Sequence, residues 1–227
     1  MSVQESKPTL AILGGTGDLG GGLAKRWLRA GYKVILGSRD ADKASQAAAR
    51  LSESYPAAEV YGCTYRDAAE QADIVVLTVP FKHQLDTLKE IHSALHKKIL
   101  IDVTVPLVPP KVGTVQMPAQ GSAALIAQNF LGEEVFVVSA FQNISATHLN
   151  SDHAIDCDVL VTGNNKAART QVISLVEAAG LRAWHAGPLA NSVATEALTS
   201  VLIHINNNYK LDGAGIRITG EALSASE

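Results

Sequence analysis

Short runs of almost unbroken apolar residues alternate along this chain with stretches in which apolar positions recur every three or four residues. The runs are Thr9 to Leu13, Lys33 to Leu36, Asp73 to Val79, Lys98 to Val103 and Val135 to Ala140. Apolarity without polar alternation means burial on both faces, so these read as strands of a parallel sheet. Between the first two runs Leu19, Leu23, Trp27 and Leu28 share one helical face, and Gly31 follows where a left-handed cap would end the helix. That is one complete βαβ unit. Asp42 to Leu51, Phe81 to Leu95 and Ser122 to Leu131 are predicted as further helices, with Asp40 and Ser122 as caps and Pro80 closing the strand before it.

After about Phe141 the rhythm changes. Asp158 to Thr162 reads as one more short strand, and Lys166 to Ala179 as a helix with Val172, Leu175, Val176 and Ala179 on one face. The pattern predicts a doubly wound parallel α/β sheet over residues 8–141 and a smaller C-terminal α/β domain over 142–227. The last helix, Asn191 to Asn207, stacks Ala194, Leu198, Val201, Leu202 and Ile205 on one stripe, which suggests a homodimer or a cover for the chain's own core. Pro106 to Pro110 reads as a rigid loop, because the α/β alternation resumes beyond it.

Composition narrows the class of partner. Of 227 residues 47% are hydrophobic and 18% charged, and the formal net charge of -3 is too balanced for capture of nucleic acid or an anionic membrane. A small-molecule partner is expected. Cys63 and Cys157 fit neither a disulfide framework nor a zinc set, which suits a reducing cytoplasm. The polar stretch Met1 to Pro8 lacks the apolar centre of a signal peptide, so export and membrane insertion are not expected.

The chemistry begins at the turn after the first strand. Leu13-Gly14-Gly15-Thr16-Gly17-Asp18-Leu19-Gly20 carries the spacing Gly15-x-Gly17-x-x-Gly20 between a strand and a helix. A pyrophosphate needs backbone N–H donors at close range. Gly15 allows the tight turn, Gly17 clears a side chain from the anion's path and Gly20 lets helix and strand approach, so Gly15, Thr16, Gly17, Asp18 and Leu19 are candidate dinucleotide contacts. The second strand ends Leu36-Gly37-Ser38-Arg39, where an NAD site would place a carboxylate for the ribose. Ser38, Arg39 and Lys43 offer a hydroxyl and two cations instead, so NADP is favoured over NAD. Leu77-Thr78-Val79-Pro80 and Asp102-Val103-Thr104-Val105-Pro106 end the next strands, and Val79 and Pro80 are candidates for the nicotinamide wall. Hydride transfer between two flat rings needs a dry apolar wall and no obligatory acid–base pair.

Seven histidines invite a metal reading and give it little support. His83, His92 and His96 fall along one predicted helix, but no third ligand accompanies His92 and His96, so exposed side chains are expected. No Gly-x-Ser-x-Gly elbow supports a hydrolase.

Together these features resemble the NADPH-dependent reductases of the deazaflavin coenzyme F420. The residues that carry the resemblance are Ile12 to Gly20, Gly37-Ser38-Arg39, Leu77-Thr78-Val79-Pro80, Ala186-Gly187-Pro188-Leu189-Ala190-Asn191-Ser192, Glu196-Ala197-Leu198-Thr199 and Gly215-Ile216-Arg217-Ile218. The resemblance implies a Rossmann-type domain with a small C-terminal domain and a direct hydride transfer between NADP(H) and F420. It assigns Thr16, Ser38, Arg39 and Lys43 to NADP, and the segment from Ala140 to Ile144 to the deazaflavin. The family carries His-Thr-Ile-Pro where this chain has Gln142-Asn143-Ile144-Ser145, so Ile144 alone carries over. The run Ala140 to Ala146 also resembles the NADPH-binding domain of the membrane ferric reductases, which keeps a flavin open as the acceptor. A non-catalytic NADP-binding regulator is a third reading.

Overall fold

The computed structural model describes residues 7–221; the first six residues of the polar N-terminal stretch and the last six of the chain lie outside it. Eight strands form one sheet: β1 (Leu10–Leu13), β2 (Val34–Ser38), β3 (Val60–Thr64), β4 (Ile74–Leu77), β5 (Ile99–Asp102), β6 (Phe136–Ser139), β7 (Asp158–Gly163) and β8 (Arg182–His185). Their spatial order is β3-β2-β1-β4-β5-β6-β7-β8. All neighbours are parallel except β6 and β7, which run antiparallel. The sheet therefore continues past Phe141, and the second unit extends the first through Val138 opposite Gly163.

Apart from the edge strands β3 and β8, the strands are buried on both faces, with successive side chains pointing to opposite sides. Leu10 and Ile12 of β1 join a core with Trp27, Leu36, Val76, Val172 and Leu175, while Ala11 and Leu13 join one with Ile35, Val75, Ala68, Leu88 and Ala124. The first face is covered by α1 (Asp18–Arg29), α2 (Ala41–Ser54), and, beyond β6, α7 (Lys166–Ala178). The second is covered by α3 (Tyr65–Gln71), α4 (Gln84–Ile91) and α5 (Ala123–Leu131). The short α6 (Ala146–Asn150) packs on α1, and α8 (Ser192–Tyr209) lies against α5.

The caps form as the residue types require. Asp40 accepts from the Lys43 N–H at the start of α2, and Ser122 from the Leu125 N–H at the start of α5. Gly31 takes a φ of 74° after α1. The helix predicted over Phe81 to Leu95 is broken. A 3₁₀ turn at Phe81–His83 precedes α4, and a second at His92–Ala94 follows it. His83, His92 and His96 consequently do not share one helical face, and the His92 ring stands edge-on to Phe130 at 5.6 Å. Among the described residues no cluster of His, Cys, Asp and Glu could hold a metal.

A buried arginine fastens the second unit to the first. Arg26 of α1, 9% exposed, donates to the carbonyls of Leu149, Ala179, His148, Ser151 and His153. Gly22, one turn earlier, lies so close to α6 that a Cβ there would meet Leu149 Cβ at 2.6 Å.

Candidate functional site

In a doubly wound sheet the chain leaves the strand tips in opposite directions on either side of one strand, and the crevice so formed is open at the carboxyl ends. Here that reversal falls between β1 and β4. A cleft of about 470 Å³ opens there, with Gly14, Thr16, Gly17, Asp18, Leu19 and Gly20 on one side and Thr78, Val79 and Pro80 on the other. Arg39 and Tyr65 line the end beside β2, and His83, Asp86, Thr87 and Glu90 line the wall made by the 3₁₀ turn and α4.

The glycine turn is built from the backbone outward. Gly15 N–H donates to Ile12 O and Gly17 N–H to Gly14 O, which curls the chain into α1. The α1 N-cap, Gly17, has no side chain to satisfy the helix's first N–H groups, so they are left for a ligand. Gly20 is required by close approach. A Cβ there would stand 2.7 Å from Thr78 Oγ1, 2.8 Å from Gly14 O and 2.9 Å from Gly15 Cα, and two of those atoms are backbone. At Gly17 a Cβ would meet only Gly14 O, at 3.3 Å, so the outer side of the turn is open. Bare helix donors facing a cradle with room on its outer side fit a pyrophosphate.

Of the residues singled out from the sequence, Thr16, Gly17, Asp18, Leu19, Arg39, Val79 and Pro80 meet around this cleft. Gly15 lies buried beneath it. Ser38 is 9% exposed, and its Oγ accepts from the Asp40 N–H at 3.2 Å. Lys43 is exposed, with Nζ 3.8 Å from the Asp40 carboxylate that caps its helix. Arg39 makes no ion pair among the described residues, which leaves its guanidinium free at the cleft. Ala140 and Ile144 lie outside the cleft lining, 0% and 7% exposed, on the segment that crosses from β6 to α6.

Tyr65, Thr78, His83, Asp86, Thr87 and Glu90 are cleft residues that sequence reasoning missed. Tyr65 begins α3 directly after β3, and β3 is a half-buried edge strand interrupted by Gly62, without the apolar run that marks the others. Burial pushes the Tyr65 phenol above its usual range, and the charge of Arg39, which lines the same end of the cleft, opposes the rise.

Comparison with known proteins identifies the relatives. The family described as "NADP oxidoreductase coenzyme F420-dependent" matches residues 9–106. The F420-dependent NADP reductase of Methanocaldococcus jannaschii is 42% identical over 92% of this chain and 97% of its own length, and that of Methanothermobacter thermautotrophicus is 43% identical over 92% and 94%. This chain belongs to the F420-dependent NADP reductase family. The Rattus norvegicus metalloreductase STEAP3 is a more distant relative, 26% identical over 86% of this chain and 37% of that protein. Among solved structures, a protein of Arthrobacter sp. FB24 shares the family fold, with a TM-score of 0.79 at 23% identity over 94% of this chain and all of that one. The fold extends to a reductive aminase of Aspergillus terreus, with a TM-score of 0.63 at 18% identity over 90% of this chain and 63% of that one.

Proposed function

We propose that this reductase moves a hydride between NADP(H) and coenzyme F420. Full-length identity above 40% to F420-dependent NADP reductases carries the reading, and the glycine cradle with a free arginine beside it supports the dinucleotide half. When bound, NADPH would supply a hydride, and the deazaflavin's central ring would accept it together with a proton from solvent, so that the two-electron reduction balances.

The protein's part is binding and placement. The N–H groups at the start of α1, with Gly15, Thr16, Gly17, Asp18 and Leu19, hold the pyrophosphate. Arg39 forks onto the ribose phosphate, with Ser38 as a hydroxyl donor and Lys43 as a second cation. Val79 and Pro80 wall the nicotinamide, and Ala140 and Ile144 belong to the segment that positions the acceptor. In this scheme residues 8–141 bind NADP and 142–227 form the substrate and dimerisation unit. Exposed Val201, at 44%, and Tyr209, at 70%, on α8 favour a homodimer. No described helix is long and apolar enough to cross a membrane, and we assign the protein to the cytoplasm as a partner of small redox molecules and of no nucleic acid.

Gln142-Asn143 in place of the family's His-Thr favours a second reading, in which the acceptor is another planar ring such as a flavin. The test mixes the pure protein with NADPH and each acceptor separately. Loss of the oxidised deazaflavin's visible band is expected. Reduction of flavin alone would select the second reading, and tight NADPH binding with no turnover of either would select a regulator.

A further inference from the structure

Behind the strand tips, away from the cleft lining, lies a set of polar side chains that are almost wholly buried: Gln84, Asp102 and Glu196 at 0% exposure, Thr104 at 3% and Gln142 at 5%. Buried polar groups persist where their hydrogen bonds are made, and these make theirs largely to one another, with Gln84 Oε1 left without a partner. The Asp102 carboxylate accepts from the Thr104 N–H at 2.9 Å, the Thr104 hydroxyl at 2.6 Å and Gln84 Nε2 at 2.6 Å. Gln84 Nε2 also donates to Ala123 O at 2.9 Å. The N–H groups of Ala123 and Ala124 donate in turn to the two Glu196 oxygens, at 2.7 and 3.0 Å. Three residues along α8 from Glu196, and so on the same side of that helix, the Thr199 hydroxyl donates to Gln142 O at 2.8 Å. Gln142 Nε2 returns to Asp102 O at 2.8 Å.

These bonds, joined by the turn of α8 between Glu196 and Thr199, close into a ring through Asp102, Gln84, Ala123, Glu196, Thr199 and Gln142. It joins α4, β5, α5, α8 and the segment after β6. Asp102 is its hub, because its carboxylate holds the β5 exit at Thr104 while its carbonyl holds Gln142 and also accepts from the Ala140 N–H at 3.3 Å. The β5 exit lies beside the β4 tip, with the Val103 N–H donating to Leu77 O, and the β4 tip leads into Val79 and Pro80 at the cleft. Gln142 belongs to the segment that carries Ile144. Its companion Asn143 is likewise anchored inward, with Nδ2 donating to Asp158 O at 2.8 Å.

We propose that Asp102 is a positioning residue for hydride transfer, holding the dinucleotide-side strand exit, 103–106, and the acceptor-side segment, 141–145, at one fixed spacing. The proposal rests on the hydride-transfer reading above. On this account the carboxamides at 142 and 143 spend their donors on fixing the acceptor segment rather than on the acceptor. Burial pushes Asp102 up to about 6, against the pull of the bonds from Thr104 and Gln84, so the carboxylate that accepts all three donors is the prevailing form at neutral pH. Misplacement of reacting atoms by about 1 Å costs on the order of a hundredfold in rate, so a modest loosening of the ring should register in the transfer step.

The test is Asp102→Asn, which keeps the shape but turns an N–H toward Gln84 Nε2, donor against donor. Single-turnover oxidation of bound NADPH by the acceptor should slow by about ten- to a hundredfold. The NADPH dissociation constant, measured by fluorescence without acceptor, should stay within about threefold, because the glycine turn and Arg39 are untouched. Amide hydrogen exchange should quicken in both 103–106 and 141–145. If Asp102→Asn does not fold, Thr104→Val, which removes one hydroxyl at constant shape, should slow the step about three- to tenfold with the same exchange signature. An unchanged transfer rate, or a rate loss matched by an equal loss of NADPH affinity, would overturn the proposal. So would faster exchange confined to one of the two segments. If the native protein passes hydride from NADPH to neither the deazaflavin nor a flavin, the hydride-transfer reading fails, while the exchange comparison still reports on the ring.

Discussion

The two sides of the strand tips are built in opposite ways. The side we assign to the dinucleotide draws its parts from short stretches of chain: Gly14 to Gly20 between β1 and α1, then Arg39 just past the end of β2. Backbone carries most of its work. The proposed acceptor side draws on Gln84, Asp102, Ala123, Gln142 and Glu196, which lie far apart in the sequence, and side chains carry its work. A site made of local backbone announces itself through glycine spacing. One made of distant side chains does not.

The contact that fastens the second unit to the first, beneath both sides, offers the harshest perturbation. Arg26 sends five hydrogen bonds to carbonyls of 148–153 and Ala179, so Arg26→Ala strands buried acceptors on both α6 and the end of α7. The expected cost is about 3–5 kcal/mol of stability, read as a lower urea midpoint at constant slope. Arg26→Lys should recover little of it, because an ammonium cannot reproduce a planar fork that reaches several carbonyls at once. A loss below about 1 kcal/mol would mean that the apolar contact of α1 with α6 holds the seam unaided.

Gly20→Ala strikes the dinucleotide side alone. The new methyl would be driven into Gly14 O and Gly15 Cα, so the turn must open, and NADPH affinity should fall by about a hundredfold, near 3 kcal/mol. Affinity within tenfold of the native protein would show that the turn can open without losing its donors. This position also marks what was legible beforehand. The parallel sheet, the βαβ unit, the caps at Asp40 and Ser122 and the glycine spacing could all be read because each depends on neighbours within a few residues. Edge strand β3, the exposed β8 and the five-residue α6 could not, because their pairing partners rather than their own apolar content hold them in place. Gln142 and Asn143 were visible only as a departure from the family. That Gln142 reaches Asp102 O, and Asn143 Asp158 O, depends on which strand tips the sheet order makes adjacent.

On the acceptor side the sharper probe is pH. Burial pushes Glu196 up to about 8, with the negative Asp102 adding to the rise and the Ala123 and Ala124 N–H groups opposing it. The folded state therefore keeps a proton that the unfolded chain gives up at its ordinary carboxylate pKa. Stability from this group is complete below that ordinary value and is lost as pH rises toward 8, by up to about 1.4 kcal/mol per pH unit. Asp102, pushed up to about 6, contributes in the same direction at lower pH. Urea midpoints should thus fall between pH 6 and 8. Glu196→Gln cannot ionise, so its stability relative to the native protein should improve by about 2 kcal/mol across that interval, whatever its starting deficit. A constant difference across the interval would place the Glu196 titration outside it and show that the helix N–H groups outweigh burial.

The smallest effect belongs to Arg39, which we propose chooses the dinucleotide. Arg39→Ala should raise the NADPH dissociation constant about tenfold, near 1.4 kcal/mol, and leave NADH almost unchanged, because a charge-assisted fork onto phosphate is lost only where the phosphate exists. Equal losses for both dinucleotides would mean that Arg39 serves the adenine or the pyrophosphate instead. Lys43→Ala provides the internal contrast. Its ammonium already lies 3.8 Å from the Asp40 carboxylate on an exposed first turn of α2, so its attraction to a phosphate is partly spent and screened by water, and about a twofold change is expected. The guanidinium, unpaired among the described residues, should outweigh the paired ammonium, although both belong to the same stretch of chain. On this proposal, what a cation contributes to dinucleotide binding depends on its having no carboxylate of its own, a condition that Arg39 meets among the described residues and the residue four positions on does not.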